Sequence, residues 1–329
     1  MTNERTLGEF EIIERFFAPL AAGAPGAYGL KNDAATLALA PGQELVVTTD
    51  LMVEGIDYLT GEEPALVARR LLRINLSDLA AMGARPLGYL VGLALPRGVG
   101  AAWFESFAGG LARDQATFSL DLLGGDISAT DGPSVLSLTA LGTVRTGTAL
   151  TRGGAKVGDA VYVSGSIGDA ALGLAALKGG LKVLSEEGRA ALIARYRLPE
   201  PRVALGQALV GLVHAALDVS DGLIADLGHI GEVSGVGARI EAARVPLSAP
   251  ARSALYVGAA SFETVLTGGD DYELLFTAPA EADGKIGDAA RALGVAITRI
   301  GSVEASPGVV VRDERGQPME FRTTGYRHF

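Results

Sequence analysis

The sequence predicts a two-domain protein whose first domain has a mixed α/β fold. Its 329 residues are enough for two domains, each with its own core. Strand-like and helix-like segments alternate through the first half, which is typical of α/β architecture. We place the domain boundary so that the predicted domains are 1–148 and 149–329.

The first domain is predicted to begin with a helix at 8–20, whose phenylalanines form an apolar face. A strand-like segment at 35–39 precedes a strand at 44–50 with polar residues gathered at its C-terminal end. The later elements are a helix at 64–82, a strand at 87–95, a helix at 103–118, an apolar segment at 120–123 with a turn at 124–126, and a β-rich segment at 134–144.

The helix at 64–82 carries a polar pair on a largely apolar surface. Pro64 is tolerated in a first helical turn, and Gly83 marks the end of the helix. Asn75 and Asp78, three residues apart, share one face. A buried carboxylate costs several kcal/mol unless it is compensated. Asp78 is therefore predicted to be either a metal ligand or the partner of one of three arginines, Arg69, Arg73 or Arg85.

The second half is predicted to open with a strand at 160–164 and a glycine-rich turn at 164–169. That turn is either a phosphate-binding loop or a tight turn that caps a helix. The capped turn is at least as well supported, because no lysine follows the glycines. The later elements are helices at 199–213 and 223–233, strands at 264–266 and 272–277, and β-rich segments at 294–302 and 309–312.

Composition excludes several classes of protein. The net charge of −10 argues against a nucleic-acid surface, because phosphate backbones require basic patches. The absence of cysteine excludes disulfides and thiolate metal sites. The sequence contains no signal-peptide pattern and no run near the ~18 apolar residues of a membrane helix. We therefore expect a soluble cytoplasmic protein.

Carboxylates at predicted turns and strand ends form the main chemical signal. They are Asp33, Asp50, Asp78, Asp126, Asp218, Asp221, Asp270 and Asp271. Each alone is more typical of a cap or turn, but together they indicate oxygen ligands at the rim of a sheet. Oxygen ligands suit Mg²⁺, Mn²⁺ or Ca²⁺. Because the common P-loop and dinucleotide motifs are absent, the residues predict only a divalent-metal protein that handles phosphate.

Six motifs, in order and spacing, resemble those of the thiamine-monophosphate kinase family, within the aminoimidazole-ribonucleotide-synthetase-like superfamily. They are Thr49-Asp50, Asn75-Leu76-Ser77-Asp78-Leu79-Ala80-Ala81-Met82-Gly83, Gly124-Gly125-Asp126, Leu150-Thr151-Arg152, Asp218-Val219-Ser220-Asp221-Gly222-Leu223 and Gly268-Gly269-Asp270-Asp271-Tyr272-Glu273-Leu274. The resemblance implies an α/β N-terminal domain, an α+β C-terminal domain, and a homodimer joined through the N-terminal sheets with ATP near the joint. It also implies ATP-dependent phosphorylation of thiamine monophosphate with several Mg²⁺ ions.

The resemblance assigns roles to individual residues. The metal positions are Asp33, Thr48, Thr49, Asp50, Asp78, Asp126, Asp218 and Asp221. The ATP positions are Gly125, Asp126, Arg152 and Ser220, and the thiamine-phosphate positions are Asp57, Asp270 and Thr323. No side chain is assigned as a catalytic acid or base.

Three residues differ from those usual in the family. Asn32 replaces an aspartate, Asp57 replaces a common histidine, and Thr323 replaces a common aromatic residue.

Two other functions stay open. One is an ATP-dependent ligase of purine synthesis with the same fold, and the other is a non-catalytic metal-binding module with oxygen ligands.

Overall fold

The computed structural model describes residues 7–326, and these form two compact units. The first unit lies within residues 1–79 and 85–147, and the second within 80–84 and 148–329. Among the described residues, no helix is both long enough and apolar enough to cross a bilayer.

The first unit is a four-stranded sheet with two long crossover helices. Its elements are α1 (Glu9–Ile12), β1 (Gln43–Val53), α2 (Pro64–Ala81), β2 (Arg85–Pro96), α3 (Ala101–Phe118), β3 (Asp121–Thr130) and β4 (Val135–Arg145). The strand order is β1-β4-β2-β3. Because β1 and β2 are both antiparallel to β4, they are parallel to each other, and β3 is parallel to β2. The helices α2 and α3 are therefore the crossover connections between parallel strands, from β1 to β2 and from β2 to β3.

The two faces of this sheet differ in their surroundings. The side chain of Thr48 contacts α2 and that of Tyr89 contacts α3, so both helices lie on the face that carries these residues. Much of α2 is buried, and several of its leucines are 0% exposed. The opposite face presents a row of exposed apolar side chains, Leu45, Val47, Leu51 and Leu90. This row is available for further packing.

The second unit contains a six-stranded sheet with order β10-β7-β9-β5-β8-β6. Its strands are β5 (Ala160–Ser164), β6 (Ala215–Asp218), β7 (Gly237–Glu241), β8 (Leu274–Ala278), β9 (Ile297–Glu304) and β10 (Gly308–Arg312). Its helices are α4 (Asp169–Leu177), α5 (Glu186–Arg197), α6 (Val203–Leu209), α7 (Leu223–Ser234), α8 (Ala249–Tyr256), α9 (Phe262–Thr267) and α10 (Asp283–Leu293). Alternate residues of β5 enter two separate apolar clusters, so both faces of the sheet are covered.

The predicted long elements are confirmed, including α2, β2, α3, β5 and α7. Three predictions of element type are wrong: residues 35–39 form no strand, residues 124–126 lie within β3, and residues 264–266 lie within helix α9. The last error has a local cause, since the Ser261 hydroxyl accepts the Thr264 N–H and starts a helix despite the β-branched residues. The sequence prediction also missed α5, β7, α8 and α10.

Candidate functional site

Two aspartates of the first unit are close enough to interact on the helix-covered face of the sheet. Asp50 lies within β1, and Asp78 lies near the end of α2. The Thr48 hydroxyl, on the same face as Asp50, donates a 2.5 Å hydrogen bond to Asp78 Oδ2. The prediction that the strand ends at Asp50 is wrong, because β1 continues to Val53 in register with β4.

This arrangement raises the pKa of Asp50 to about 7. Burial is the larger cause, and the negative charge of Asp78 is the second. A cation bound between the carboxylates would offset both effects. Thr48, Asp50 and Asp78 offer only oxygen atoms, the donors that Mg²⁺ prefers. These residues therefore fit the predicted divalent cation.

Two of the arginines that the sequence offers as partners for Asp78 bind another carboxylate. Asp114, on α3, is fully buried, and its oxygens lie 3.1 Å from Arg69 Nε and 2.6 Å from Arg73 Nε. Because both arginines are on α2, these ion pairs connect the two crossover helices.

Thr49 and Asp57 make local contacts of their own. The Thr49 hydroxyl, on the exposed face of the sheet, donates to the Leu138 carbonyl and accepts from Thr139, each at 3.1 Å. It points away from the face that carries Asp50. The Asp57 carboxylate accepts the Val53 N–H at 2.8 Å, which closes the turn after β1.

A cavity of about 660 Å³ in the first unit brings together Asp33, Gly125 and Asp126. Gly125 is within β3, paired with Val91 of β2, and a Cβ atom at this position would lie 2.1 Å from the Val91 carbonyl oxygen. Glycine is therefore required by the close approach of two strands, not by a turn.

Asp50 and Asp126 lie on opposite edge strands of the same sheet. The register aligns Asp50 with Leu138, Val91 and Gly125, so three interstrand spacings separate β1 from β3. At ~4.8 Å per spacing, the backbones are about 14 Å apart. The side chains of Asp50 and Asp126 also point to opposite faces. One copy of the first unit therefore presents two separate groups of predicted ligands.

In the second unit, one buried carboxylate fixes the loop after β6. Asp226 Oδ2 accepts the backbone N–H groups of Ser220, Asp221 and Gly222 at 3.0, 3.1 and 3.0 Å. Burial raises the pKa of Asp226 to about 7, against the lowering effect of these hydrogen bonds. Asp218, the last residue of β6, is buried directly before this loop.

Sequence reasoning missed Asp226 and His229. With Asp221, they place three potential ligand atoms within 4.8 Å of one another. The sequence did hold a signal for them. An aspartate in a first helical turn commonly binds free N–H groups, and His229 follows it by three residues on the same helix face.

The segment that carries Asp270 has a strained backbone. Asp270 and Tyr272 have φ values of 64° and 50°, and the left-handed region costs a non-glycine residue about 1–2 kcal/mol. Their N–H groups donate to the carbonyls of Ser220 and Val219, each at 2.8 Å. The Tyr272 hydroxyl donates to Asp270 Oδ1 at 3.2 Å. The structure thus brings Asp270 beside the Ser220–Asp221 loop.

The C-terminal segment also reaches this loop. The Tyr326 N–H donates to the Asp221 carbonyl at 2.9 Å, and the Arg322 N–H donates to Glu263 at 2.6 Å. Thr323, between these two anchors, is exposed.

Arg152 is exposed in the segment before β5, and its carbonyl accepts the Ser234 hydroxyl at 3.5 Å.

The glycine-rich turn at 164–169 is a capped helix start. The buried Asp271 carboxylate accepts the N–H groups of Gly168 at 2.8 Å and Ala170 at 3.4 Å. Because a protein carboxylate already occupies these donors, the capping interpretation is favoured over phosphate binding. Next to Asp271, Glu273 is fully buried and bonded to Arg195 and Arg202.

Comparison with known proteins gives the class to which the chain belongs. Residues 31–144 match the N-terminal domain of the AIR synthase related proteins, and residues 156–314 match the C-terminal domain of the same family. The chain is thus a two-domain protein of the AIR synthase related class. It belongs to the thiamine-monophosphate kinase family, as its similarity to individual proteins shows.

Three of those proteins illustrate the similarity. The thiamine-monophosphate kinase of Caulobacter vibrioides is 44% identical over 304 residues, covering 92% of this chain and 85% of the relative. The crystal structure of the thiamine-monophosphate kinase from Stenotrophomonas maltophilia is 39% identical, with a TM-score of 0.81 over 88% of this chain and 91% of that one. AaThiL complexed with AMPPCP and TMP is 31% identical, with a TM-score of 0.78 over 100% of both chains.

Proposed function

We propose that this protein transfers the γ-phosphoryl group of ATP to thiamine monophosphate, forming thiamine diphosphate and ADP. The observation that carries the proposal is the full-length similarity to a protein solved with an ATP analogue and thiamine monophosphate. Each unit holds a group of acidic side chains, the type of metal ligand that phosphoryl transfer uses.

The acceptor needs no side-chain base. The second pKa of a phosphate monoester is near 6, so at pH 7 the attacking oxygen is largely deprotonated. That oxygen forms a bond to the γ-phosphorus while the bond from the γ-phosphorus to the β–γ bridging oxygen breaks, and ADP leaves. The work of the protein is therefore to align two polyanions and to offset their repulsion.

The chain's own residues divide this work. We assign ATP to Gly125, Asp126, Arg152 and Ser220, and thiamine monophosphate to Asp57, Asp270 and Thr323. Mg²⁺, when bound, would neutralise phosphate charge. Its protein ligands are proposed to be the eight metal positions, of which Asp50 and Asp78, with Thr48, form the pair that most needs a cation.

A homodimer is part of the proposal. The predicted domain 1–148 would carry ATP binding, metal binding and dimerisation. Its edge strands β1 and β3 and the exposed row Leu45, Val47, Leu51 and Leu90 favour pairing with a second copy. Such pairing can set Asp126 of one copy beside Asp50 and Asp78 of the other, which the strand order prevents within one sheet.

The direct test is to incubate the protein with MgCl₂, ATP and thiamine monophosphate. We expect thiamine diphosphate and ADP in equal amounts, and neither product when thiamine monophosphate or Mg²⁺ is omitted. Absence of thiamine diphosphate from the complete mixture would refute the activity. In that case, ADP formed only with an amide substrate of purine synthesis would favour the ligase, and metal binding without turnover would favour a binding module.

A further inference from the structure

Asn75 is a buried polar residue that the proposed function does not use. It lies on α2 and is 0% exposed. Its Nδ2 donates to the Leu71 carbonyl of the preceding turn at 2.9 Å. Within the described part of the chain, its Oδ1 has no hydrogen-bond partner. A buried acceptor without a donor is unfavourable, so this oxygen requires a donor or a cation.

The topology of the first unit indicates where this amide lies. The helix α2 is the crossover between the parallel strands β1 and β2, so it runs antiparallel to β1. The Thr48–Asp78 hydrogen bond fixes the level at which helix and strand meet. Asn75 lies three residues before Asp78 on α2, a step of about 4.5 Å along the helix axis. Asp50 lies two residues after Thr48 on β1, a step of about 6.7 Å along the strand. Both steps have the same direction.

Asn75 therefore lies on the same helix face as Asp78 and at about the level of Asp50. Three side chains that interact with one another where β1 meets α2 offer oxygen, namely Thr48, Asp50 and Asp78. A carbonyl oxygen from an amide is a normal ligand of hard cations. Such a ligand would add an oxygen without adding negative charge to two carboxylates that already repel each other.

We propose that Asn75 Oδ1 is a ligand of the divalent cation held by Asp50 and Asp78. The inference rests on the metal site of the proposed function and assigns a further residue to it. The competing possibility is that an ordered water donates to Oδ1 and that Asn75 has no part in metal binding.

The test measures metal binding by the full chain without nucleotide. Mn²⁺ binding is followed by electron paramagnetic resonance, Mg²⁺ binding by calorimetry, and thermal unfolding is recorded with and without metal. Asn75→Leu removes the oxygen and keeps the number and branching of the side-chain heavy atoms, and Asn75→Asp keeps the oxygen. Ser77→Ala is the matched control, since Ser77 is equally buried but about 160° away around the same helix.

We expect Asn75→Leu to weaken metal binding about tenfold or more, the range in which supporting residues of metal sites act. The metal-free Tm of this variant should stay unchanged or rise, because an unsatisfied polar atom has been removed. Asn75→Asp should bind metal at least as tightly as wild type, and Ser77→Ala should match wild type. A purely structural asparagine would not produce loss of metal affinity together with retained stability.

Wild-type metal affinity in Asn75→Leu would overturn the inference and favour the bound water. If Asn75→Leu does not fold, Asn75→Ala takes its place with the same expectation for metal affinity. Asp50→Asn in the same assay distinguishes failure of the proposed metal site from failure of the role of Asn75. If Asp50→Asn binds metal like wild type, the proposed metal site itself is wrong. If Asp50→Asn loses metal binding and Asn75→Leu does not, the metal site stands and only the role of Asn75 is contradicted.

Discussion

The two units hold their aspartates in different ways. In the first unit, Asp50 and Asp78 stand on a regular strand and a regular helix, and burial together with mutual repulsion raises the pKa of Asp50. In the second unit, Asp221 and Asp270 stand on loops that backbone hydrogen bonds and positive φ values fix in place. Substitutions in the first unit should therefore change charge and metal binding, and those in the second should change loop geometry and stability.

The largest effect is expected for Asp50→Asn. This change keeps the shape of the side chain and removes its charge, so turnover should fall at least ~10²-fold, corresponding to about 2.7 kcal/mol of transition-state stabilisation. The fold should persist, since removing one of two repelling carboxylates does not disturb the strand. Steady-state kinetics and a thermal melt check both points. Near-normal turnover would count against the metal assignment.

Asp226→Ala should have the opposite profile, with loss of stability as its primary effect. It leaves three N–H groups of the Ser220–Gly222 loop without their acceptor. At about 1 kcal/mol for each hydrogen bond, the loss in unfolding free energy is about 2–3 kcal/mol. Urea denaturation measures it. Asp226→Asn, which keeps an acceptor oxygen, is the control and should lose less than half as much.

Metal affinity should depend on pH through Asp50. Its pKa is raised from the ordinary value of 3.8 to about 7 in the metal-free fold, so protons compete with metal below pH 7. Lowering the pH from 7 to 6 should weaken Mg²⁺ binding about fivefold, since one proton must be displaced. Calorimetry at both pH values tests this, and Asp50→Asn should remove the dependence. An unchanged affinity in wild type would contradict it.

The same pKa shift sets the sign of the stability change in metal-free protein. Between pH 3.8 and about 7 the folded state binds the Asp50 proton and the unfolded state does not. Unfolding free energy therefore decreases as pH rises through this window. Urea melts at pH 5 and pH 7 should show a smaller decrease for Asp50→Asn than for wild type.

The smallest effect is expected at the thiamine-phosphate positions. Thr323 is exposed on the segment that Tyr326 anchors to Asp221 and has no aromatic face. Thr323→Trp should lower KM for thiamine monophosphate about fivefold, equivalent to ~1 kcal/mol of stacking, and leave KM for ATP unchanged. Thr323→Leu, which adds apolar bulk without a ring, is the control. If the KM for thiamine monophosphate does not decrease, there are two explanations. Either another ring, such as Tyr326 or Tyr272, already stacks on the substrate, or Thr323 lies outside the pocket.

The sequence predicted the long elements well because their apolar periodicity is strong, as in α2 and β5. The predicted surroundings of Asp50 and Asp126 are wrong because local polarity resembles the end of a strand or a turn. The polar residues before Asp50 are followed by Leu51, Met52 and Val53, which continue β1 against β4. The glycines before Asp126 are turn-like in isolation, but the contact of Gly125 with Val91 explains one of them.

Other features depend on tertiary arrangement and have no local signal. The separation of Asp50 from Asp126 follows from the strand order, which places β1 and β3 at opposite edges. Whether Asn75 Oδ1 meets a hydrogen-bond donor depends on what packs around α2, and among residues 7–326 it meets none. The positive φ at Asp270 results from its contact with Ser220, a residue 50 positions earlier in the chain.

In the proposed homodimer, the two groups of ligands in the first unit form one active site between two copies. The decisive measurement mixes the inactive variants Asp50→Asn and Asp126→Asn, refolded together so that subunits exchange. Half of the dimers are then mixed, and each mixed dimer has one site with both aspartates intact. We expect recovery of about one quarter of wild-type thiamine diphosphate formation, by the statistics of a two-fold dimer. Full exchange without any recovery of activity would contradict it.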